Sequence, residues 1–405
     1  MYRLLIATRR CAISALLISI LASVPSAQEP INIDSITSLP VIGRVDTRSG
    51  KKLFKLFPLE GTTLLRRVEF PGASSFRLHF SVLAPKDLPA GSWSVRVLNF
   101  SDDRERWALT PQPSVKDFWS NQIKGSRARV LVTADAAIAD KLQVIIDKVA
   151  FLQSITIPQT EINFKLERIT NTTAPVRSAG RSVARLIIQR DGDDLPVTCT
   201  GFLVGTEILI TNRHCIRSGS EARNTDVQFD FDDDNAEPVQ VGVKELLLTS
   251  CDLDFVLLRL DQSFACTTAA CNTTFERRPL ALARNPNLTS GQTKLVAIQH
   301  PDGEAKQVSV TGCIADQLGL MGSSSTLTDF AHKCDTKNGS SGTPVQLIND
   351  AGKVGAVVGL HHLGVRMDSV DDEAPKQINR AVSTKKIIAY ITLAKPALLK
   401  ELVLQ

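Results

Sequence analysis

Apolar and polar residues alternate with a period of two in several short runs of the N-terminal part of the chain. The clearest of these runs span residues 75–83, 92–98 and 128–133, and two adjacent aromatic residues mark a further candidate at 118–125. Strict alternation places the apolar side chains on one face of an extended segment, so each run predicts a half-buried β-strand. Proline and glycine between the runs predict turns. Short strands with turns between them favour an all-β sandwich.

The C-terminal end shows a different period. Ile387, Ile388 and Ile391 recur at helical spacing within residues 383–393. This spacing gathers apolar side chains on one side of a helix and leaves polar ones on the other. The segment is therefore predicted to be an amphipathic helix.

A short stretch of small and polar residues separates the sandwich pattern from the rest of the chain. Residues 175–181 are interrupted by proline and glycine, which predicts a linker. The chain is then expected to consist of an N-terminal domain, 28–174, and a second domain, 182–405. Arg177 and Arg181 are candidate processing sites, and a plain connection between domains is an equally good interpretation.

The first residues have the features of a secretory signal peptide. Arg3, Arg9 and Arg10 precede an apolar stretch, 11–24, that is too short to cross a bilayer comfortably, and small residues follow it. We expect residues 1–27 to be removed during export to the extracellular space or the periplasm. An uncleaved anchor is the alternative.

Charge excludes some classes of partner. The formal net charge of the 405-residue chain is +5, and removing the three leader arginines leaves 44 basic against 42 acidic residues. This balance gives no reason to expect nucleic acid or, once the leader is removed, a membrane surface as a partner. No cysteine or histidine spacing indicates a metal site, and no cofactor is expected. The acidic run 230–234 leaves calcium binding and a solvated loop as alternatives.

Three motifs in a fixed order supply a histidine, an aspartate and a serine. They are residues 211–215 (Thr-Asn-Arg-His-Cys), 252–258 (Asp-Leu-Asp-Phe-Val-Leu-Leu) and 338–344 (Asn-Gly-Ser-Ser-Gly-Thr-Pro). A serine hydroxyl is a poor nucleophile at neutral pH, so it needs a base to take its proton. An imidazole can be that base when a buried carboxylate fixes its tautomer. The candidate nucleophile, base and orienting carboxylate are Ser341, His214 and Asp254.

The same chemistry requires donors for the negative oxygen that develops on the substrate carbonyl. A glycine two residues before the serine allows the sharp turn that aims backbone N–H groups at one point. Gly339 and Ser341 are the candidate donors of this oxyanion hole.

These motifs resemble those of the trypsin-like serine peptidases, and most of all the bacterial branch that includes the glutamyl endopeptidases. The similarity covers about 182–391 and rests on residues 199–204, 208–215, 254–260, 300–303, 339–344 and 358–364. It implies an all-β, chymotrypsin-like double barrel of two six-stranded barrels, with the triad in the cleft between them. It also implies an endopeptidase that acts on proteins or peptides without a cofactor.

The resemblance also bears on the eight cysteines. In this family a pair equivalent to Cys199 and Cys215 forms a disulfide that pins the histidine loop. Cys313 and Cys334 flank the segment that leads to the serine, and we expect them to pair as well. Cys266 and Cys271 could close a small loop. With Cys11 in the leader, Cys251 is then expected to be the odd cysteine.

Two features of the predicted specificity pocket disagree. Asp335 precedes the candidate serine by six residues, where an aspartate in trypsin attracts lysine or arginine. Thr336 and His361 match the threonine and histidine with which glutamyl endopeptidases bind a glutamate side chain. Cleavage after basic residues and cleavage after glutamate both remain open, unless Asp335 turns away from the pocket. Because His361 and His362 are adjacent in a strand, only one can face the pocket; the other is expected to be a packing or surface residue.

Activation and the N-terminal domain are less determined. Ser340 stands where trypsin has the aspartate that pairs with a new N-terminus, so zymogen activation would need another mechanism. The N-terminal domain could be a folding propeptide, an inhibitor that contacts the second domain, or a targeting module. A secreted binding protein with the peptidase fold as scaffold is the rival function, although an intact triad speaks against it.

Overall fold

The computed structural model describes much of the chain. The described residues are 44–46, 54–56, 63–70, 73, 75–84, 88–89, 91–99, 105–109, 117–139, 141–151, 164–193, 196–265, 276–323, 326–367 and 376–405. The predicted signal peptide and the pair Cys266 and Cys271 lie outside them. Among the described helices, none has the length and apolar character needed to cross a membrane.

The structure describes ten strands in the N-terminal part of the chain. They are β1 (Arg44–Asp46), β2 (Phe54–Leu56), β3 (Thr63–Glu69), β4 (Ser75–Leu83), β5 (Trp93–Asn99), β6 (Glu105–Leu109), β7 (Asp117–Trp119), β8 (Ile123–Lys124), β9 (Arg127–Ala134) and β10 (Gln143–Phe151). One sheet has the order β1-β10-β4-β7, with β2 on β10 and β8 on β4; the other has the order β3-β9-β5-β6. Apolar side chains of both sheets form one core, in which Phe80 stacks on Trp107 and Phe118. The strands predicted at 75–83, 92–98 and 128–133 are confirmed as β4, β5 and β9, whereas the single strand predicted at 118–125 is two short strands, β7 and β8.

A curled seven-stranded sheet forms the first barrel of the second domain. Its strands are β12 (Val183–Ile188), β13 (Val197–Leu203), β14 (Ile208–Thr211), β15 (Thr225–Phe229), β16 (Val239–Val241), β17 (Val243–Ser250) and β18 (Phe255–Leu260). Every pair of neighbours in the order β16-β15-β12-β13-β14-β18-β17 is antiparallel. A short helix, α2 (Gly219–Arg223), leads into β15.

An eight-stranded sheet forms the second barrel. Its strands are β11 (Glu167–Arg168), β19 (Leu295–Gln299), β20 (Gln307–Ser309), β21 (Ala315–Met321), β22 (Leu327–His332), β23 (Pro344–Ile348), β24 (Val354–Met367) and β25 (Lys376–Ser383). The order is β11-β20-β19-β23-β24-β25-β22-β21. The predicted C-terminal helix is confirmed as α3 (Thr384–Ala394), whose buried isoleucines join a core shared by both barrels.

The interval that the sequence indicates as a linker is folded. It contains a 3-10 turn, Ile169–Asn171, and the helix α1 (Ala174–Gly180). Ile169 and Val176 are buried in the core that the two barrels share. Residues 175–181 are therefore an ordered part of the second domain's packing, and a cut at Arg177 would break this helix.

Carboxylates of the acidic run 230–234 pair with protein cations, while Asp233 and Asp234 are exposed to solvent. Asp230 pairs with the buried Arg277 at 2.5 Å, and Asp232 pairs with the buried Lys306 at 2.7 Å. Asp234 is 3.1 Å from Arg168. Arg168 lies on β11 and Lys306 immediately precedes β20, and both strands belong to the second barrel's sheet. The ion pairs of these cations with Asp234 and Asp232 therefore join the two barrels. Three of the run's carboxylates are thus engaged by protein cations.

The N-terminal sandwich contacts the first barrel through buried polar groups. Arg77 of β4 donates to the carbonyls of Ile187 and Asn224, at 3.3 and 2.9 Å. The backbone N–H of Gln122 donates to Asp226 at 2.8 Å. Buried polar groups are costly unless they are paired, so these bonds fix one relative orientation of the two units.

Candidate active site

Local structure places His214 in a tightly held loop. The loop follows β14 directly, and the disulfide between Cys199 and Cys215 joins it to β13. This disulfide was predicted and is confirmed. Asn212 donates to the backbone carbonyl of Asp254 at 2.9 Å, which ties the loop to the residue that precedes β18. The loop therefore has little freedom to move the imidazole.

His214 and Asp254 form a buried pair. Nδ1 of His214 is 2.6 Å from Oδ2 of Asp254, and the backbone N–H of His214 donates to Oδ1 at 2.8 Å. Asp254 has a φ of +43°, a left-handed conformation that is uncommon outside glycine. Strained backbone of this kind persists where surrounding contacts impose it, and it is concentrated at functional sites.

Electrostatics keep the Asp254 carboxylate ionised. Burial alone would raise its pKa, but interactions with His214 and His362 outweigh burial and hold the pKa well below its usual range. An ionised carboxylate on Nδ1 leaves Nε2 of His214 as the atom that can accept a proton. That Nε2 atom is buried and has no hydrogen-bond partner among the described residues.

Ser341 is held against the strands that carry the histidine loop. The backbone N–H of Thr200 on β13 donates to the carbonyl of Ser341 at 2.8 Å. Gly342, with a φ of +89°, packs so closely that an added Cβ would lie 2.0 Å from the Thr200 carbonyl oxygen. The hydroxyl of Thr211 on β14 donates to the Thr200 carbonyl at 2.7 Å. The serine turn and the histidine loop are thus bound to one strand pair.

The turn before Ser341 is anchored by the segment 300–303. The N–H of Asp302 donates to the carbonyl of Asn338 at 2.5 Å. In a planar trans peptide the N–H points opposite to the carbonyl, so the amide of Gly339 faces away from this anchor. Within the described residues, neither the Gly339 nor the Ser341 amide donates a hydrogen bond. Both amides are available to an oxyanion.

Asp335 is turned towards the backbone of the segment that precedes β11. Its carboxylate accepts the N–H of Lys165 at 2.9 Å, and its own N–H donates to Ser309 at 2.8 Å. The carbonyl of Asp335 accepts from Gln299 at 2.8 Å. The side chain and the backbone are thus both committed to structural bonds.

Thr336 and His361, the other two pocket candidates, are buried. The hydroxyl of Thr336 donates to Asn379 at 2.8 Å. Nδ1 of His361 is 3.1 Å from Nε2 of His332, for which the sequence suggested no role. Burial and neighbouring histidines hold the pKa of His361 well below its usual value, so the ring is neutral at neutral pH.

His362, expected to be a packing or surface residue, is buried, and it lies in an ionic contact that was not expected. Nε2 of His362 is 2.8 Å from Oδ2 of Asp329, and Nδ1 is 3.4 Å from Oδ2 of Asp254. The second distance suits an ion pair rather than a hydrogen bond. Alternation along the strand placed His362 on the opposite face from His361, but no local signal pointed to Asp329.

The remaining cysteines give one confirmation and one correction. Cys313 and Cys334 are disulfide-bonded, as predicted. Cys251 is also in a disulfide, so its assignment as the odd cysteine was wrong. Its partner lies outside the described cysteines, and spacing alone could not identify it. Across the described residues, no group of three or more histidine, cysteine or acidic side chains is arranged to hold a metal ion.

Comparison with known proteins gives a family match over part of the chain. Residues 199–360 match the profile of the trypsin-like peptidase domain. The chain is 27% identical over 205 residues to the secreted RxLR effector protein 73 of Plasmopara viticola, which covers 46% of both chains. It is 29% identical over 196 residues to the uncharacterized protein y4fB of Sinorhizobium fredii, covering 46% of this chain and 28% of that one. The matched region spans less than half of either relative.

Two solved structures are among those with detectable similarity to the chain. Deg5 covers 54% of this chain and 91% of its own, at 16% identity and a TM-score of 0.37. The scabies mite inactivated protease paralogue S-I1 covers 56% of this chain and 98% of its own, at 14% identity and a TM-score of 0.40. None of these comparisons distinguishes a glutamyl endopeptidase branch. Residues 199–360 thus resemble a trypsin-like peptidase domain, and the all-β double barrel is consistent with that resemblance.

Proposed function

We propose that the chain is a secreted serine endopeptidase. Ser341 Oγ attacks the substrate carbonyl while Nε2 of His214 takes the hydroxyl proton, and the same proton passes to the leaving amine. Asp254 keeps the imidazole in the required tautomer, and the N–H groups of Gly339 and Ser341 stabilise the oxyanion. Water then hydrolyses the acyl-enzyme by the reverse sequence of proton transfers.

One observation carries this proposal. The ionised Asp254 binds Nδ1 of His214 and leaves a buried Nε2 without a partner, while the serine turn is bound to the same strand pair. Other buried histidines also have one unpartnered ring nitrogen, so the weight falls on the ionised Asp254 at Nδ1 of His214 together with the bound serine turn. An unpartnered Nε2 is what a general base needs before substrate arrives, since catalytic hydrogen bonds often shorten only in the complex.

Covalent labelling tests the proposal without knowledge of the substrate. A fluorophosphonate should modify the full chain once, on Ser341, and peptide mass spectrometry should locate the adduct. Labelling should be lost in Ser341→Ala and kept in Ser290→Ala, a matched change at an exposed serine outside the serine turn. A chain that takes no label would favour the rival function, a binding protein with the peptidase fold as scaffold. A label on another serine would exclude Ser341 as the nucleophile.

Export to an oxidising compartment belongs to the same proposal. Its support is the pair of disulfides at Cys199–Cys215 and Cys313–Cys334, because disulfides persist mainly in secreted proteins. The predicted signal peptide at 1–27 would provide the route.

For specificity, we infer a preference for glutamate before the scissile bond. The carboxylate of Asp335 is held by the Lys165 amide, which removes the main argument for basic residues. If Nε2–H of His332 donates to Nδ1 of His361, the neutral His361 carries its proton on Nε2, and a substrate carboxylate would compete for this ring with the backbone of Arg380. A buried, preset donor suits a substrate carboxylate, and the commitment of the Thr336 hydroxyl to Asn379 leaves His361 as the principal donor.

The expected result is a substrate preference that depends on His361. Among peptides that differ only in the residue before the scissile bond, kcat/KM should be at least about tenfold higher for glutamate than for glutamine, lysine or arginine. His361→Ala should remove most of the advantage over glutamine. Asp335→Asn is the matched control and should keep the order of preference, since its carboxylate faces Lys165. Cleavage after lysine that Asp335→Asn abolishes would contradict this inference.

A further inference from the structure

His362 lies on β24 immediately after His361, and its side chain is buried between two carboxylates. Its Nε2 atom is 2.8 Å from Oδ2 of Asp329, and its Nδ1 atom is 3.4 Å from Oδ2 of Asp254. That oxygen of Asp254 is also the one that lies 2.6 Å from Nδ1 of His214. Two imidazoles and two carboxylates therefore alternate along one buried row.

The charge of this row depends on His362. Burial by itself would lower the pKa of His362, but Asp329 and Asp254 outweigh it and raise the pKa to about 9. The ring is therefore protonated at neutral pH. Asp329 is held from its other side by the hydroxyl of Thr328 at 2.8 Å. A positive ring between two buried carboxylates supplies the pairing that such charges need.

Other titratable side chains also lie around His362. His361 and His332 face the same region, and burial holds the pKa of His361 well below its usual value and lowers that of His332 to about 3. Neither ring adds charge at neutral pH. Arg380 of β25 donates to the carbonyl of Met321 at 2.9 Å, and its charge acts on Asp329. His214 lies at the far end of the row, beyond Asp254.

We propose that His362 and Asp329 are positioning residues for the triad: the imidazolium of His362, held by Asp329, orients the Asp254 carboxylate and offsets part of its charge. This inference rests on the proposed serine peptidase function. The pair does not touch substrate. It acts through Asp254 by setting how strongly that carboxylate favours a proton on His214.

The consequence follows from simple electrostatics. An anion beside an imidazole stabilises the protonated ring, and a cation on the other side of the same anion weakens this effect. With His362 in place, Asp254 favours a proton on His214 less strongly, and activity should persist to lower pH than it does without His362. Without His362, His214 should hold its proton more tightly, and activity should fall off at a higher pH.

The test is the rate of Ser341 phosphonylation by a fluorophosphonate, measured against pH for the full chain. The variant is the charge-balanced double change His362→Asn with Asp329→Asn, which removes one buried cation and one buried anion together. Because the removed cation is closer to Asp254 than the removed anion is, the midpoint of the acid limb should rise by about one pH unit. An unchanged or lower midpoint would overturn the proposal.

A second charge-balanced pair controls for the loss of any buried ion pair. Lys306→Gln with Asp232→Asn removes the inter-barrel pair at 2.7 Å, which touches no member of the triad. This control should lower stability while leaving the midpoint of the acid limb where it is. A shift of equal size in the control would show that the effect is structural, and the proposal would fail.

A further measurement uses the native chain, so it does not require the double variant to fold. With 15N-labelled histidine, NMR should show both ring nitrogens of His362 protonated at pH 7. A neutral His362 ring at that pH would overturn the inference. Loss of the proposed function would look different: native chain that takes no phosphonate on Ser341 at any pH removes the enzyme itself, whatever the state of His362.

Discussion

Replacing Ser341 with alanine should lower kcat for peptide hydrolysis by about 10⁶-fold and leave KM for the same peptide nearly unchanged. The hydroxyl supplies the attacking atom, so no neighbouring group can replace it. Ser341 is held mainly through its backbone carbonyl, which Thr200 binds at 2.8 Å, and alanine keeps that bond. The variant should therefore remain folded. Steady-state hydrolysis of a fluorogenic peptide, with thermal unfolding of each chain, measures both quantities.

The matched comparison is a double variant. His214→Ala should cost nearly as much as Ser341→Ala, and the two changes together should cost little more than either one. Non-additivity of this size is expected when nucleophile and base act as a unit. If the losses in the two single variants multiplied in the double variant, the two residues would not cooperate. If Ser341→Ala kept a tenth of the native rate of hydrolysis, Ser341 would not be the nucleophile.

The parts of the site that could be predicted are those encoded locally. His214 follows a short apolar strand and precedes Cys215, and Ser341 lies between two glycines that only a sharp turn requires. Alternation over 75–83 likewise predicted β4 with the bounds that the structure shows. In each case the physical cause, a side-chain period or a glycine conformation, acts over a few neighbouring residues.

The parts that could not be predicted depend on partners far away in the chain. The Asp335 carboxylate, a candidate for the specificity pocket, accepts a backbone N–H from Lys165, 170 residues earlier. His362 is charged because Asp329, 33 residues away on another strand, lies against its ring. A backbone donor leaves no mark in the sequence at all. The acidic run 230–234 shows the same limit, since its cations lie on other segments.

The anchored peptide before Ser341 suggests how the oxyanion hole is kept open. An intact chain shows the Asn338 carbonyl bound to Asp302, with the Gly339 amide facing away from that bond. Ser340 donates its N–H to Lys337 and its hydroxyl oxygen accepts the N–H of Lys337 at 3.1 Å, which closes the turn locally. For the proposed oxyanion hole, we expect these bonds to shape the turn without an ion pair to a new N-terminus. The donor geometry then depends on the space that Gly339 leaves.

Gly339→Ala should lower kcat by about 10²- to 10³-fold with little change in KM, because one oxyanion donor is displaced. Gly339 has a φ of +85°, and an added Cβ would lie 2.9 Å from the carbonyl oxygen of His300 and 3.1 Å from the N atom of Asp302. Both are backbone atoms of the anchoring turn and cannot rotate away. The peptide must therefore shift, and its N–H leaves the position where the oxyanion forms.

Gly352→Ala separates this contact from backbone strain. Gly352 has a similar φ of +73°, yet an added Cβ there would meet no heavy atom within 4 Å. The control should lower the free energy of unfolding by about 1 kcal/mol and keep kcat within about twofold of the native chain. Single-turnover hydrolysis at saturating substrate measures the difference between the two variants. If Gly339→Ala lost no more activity than Gly352→Ala, the Gly339 amide would not be an oxyanion donor, and the hole would have to be built from other groups.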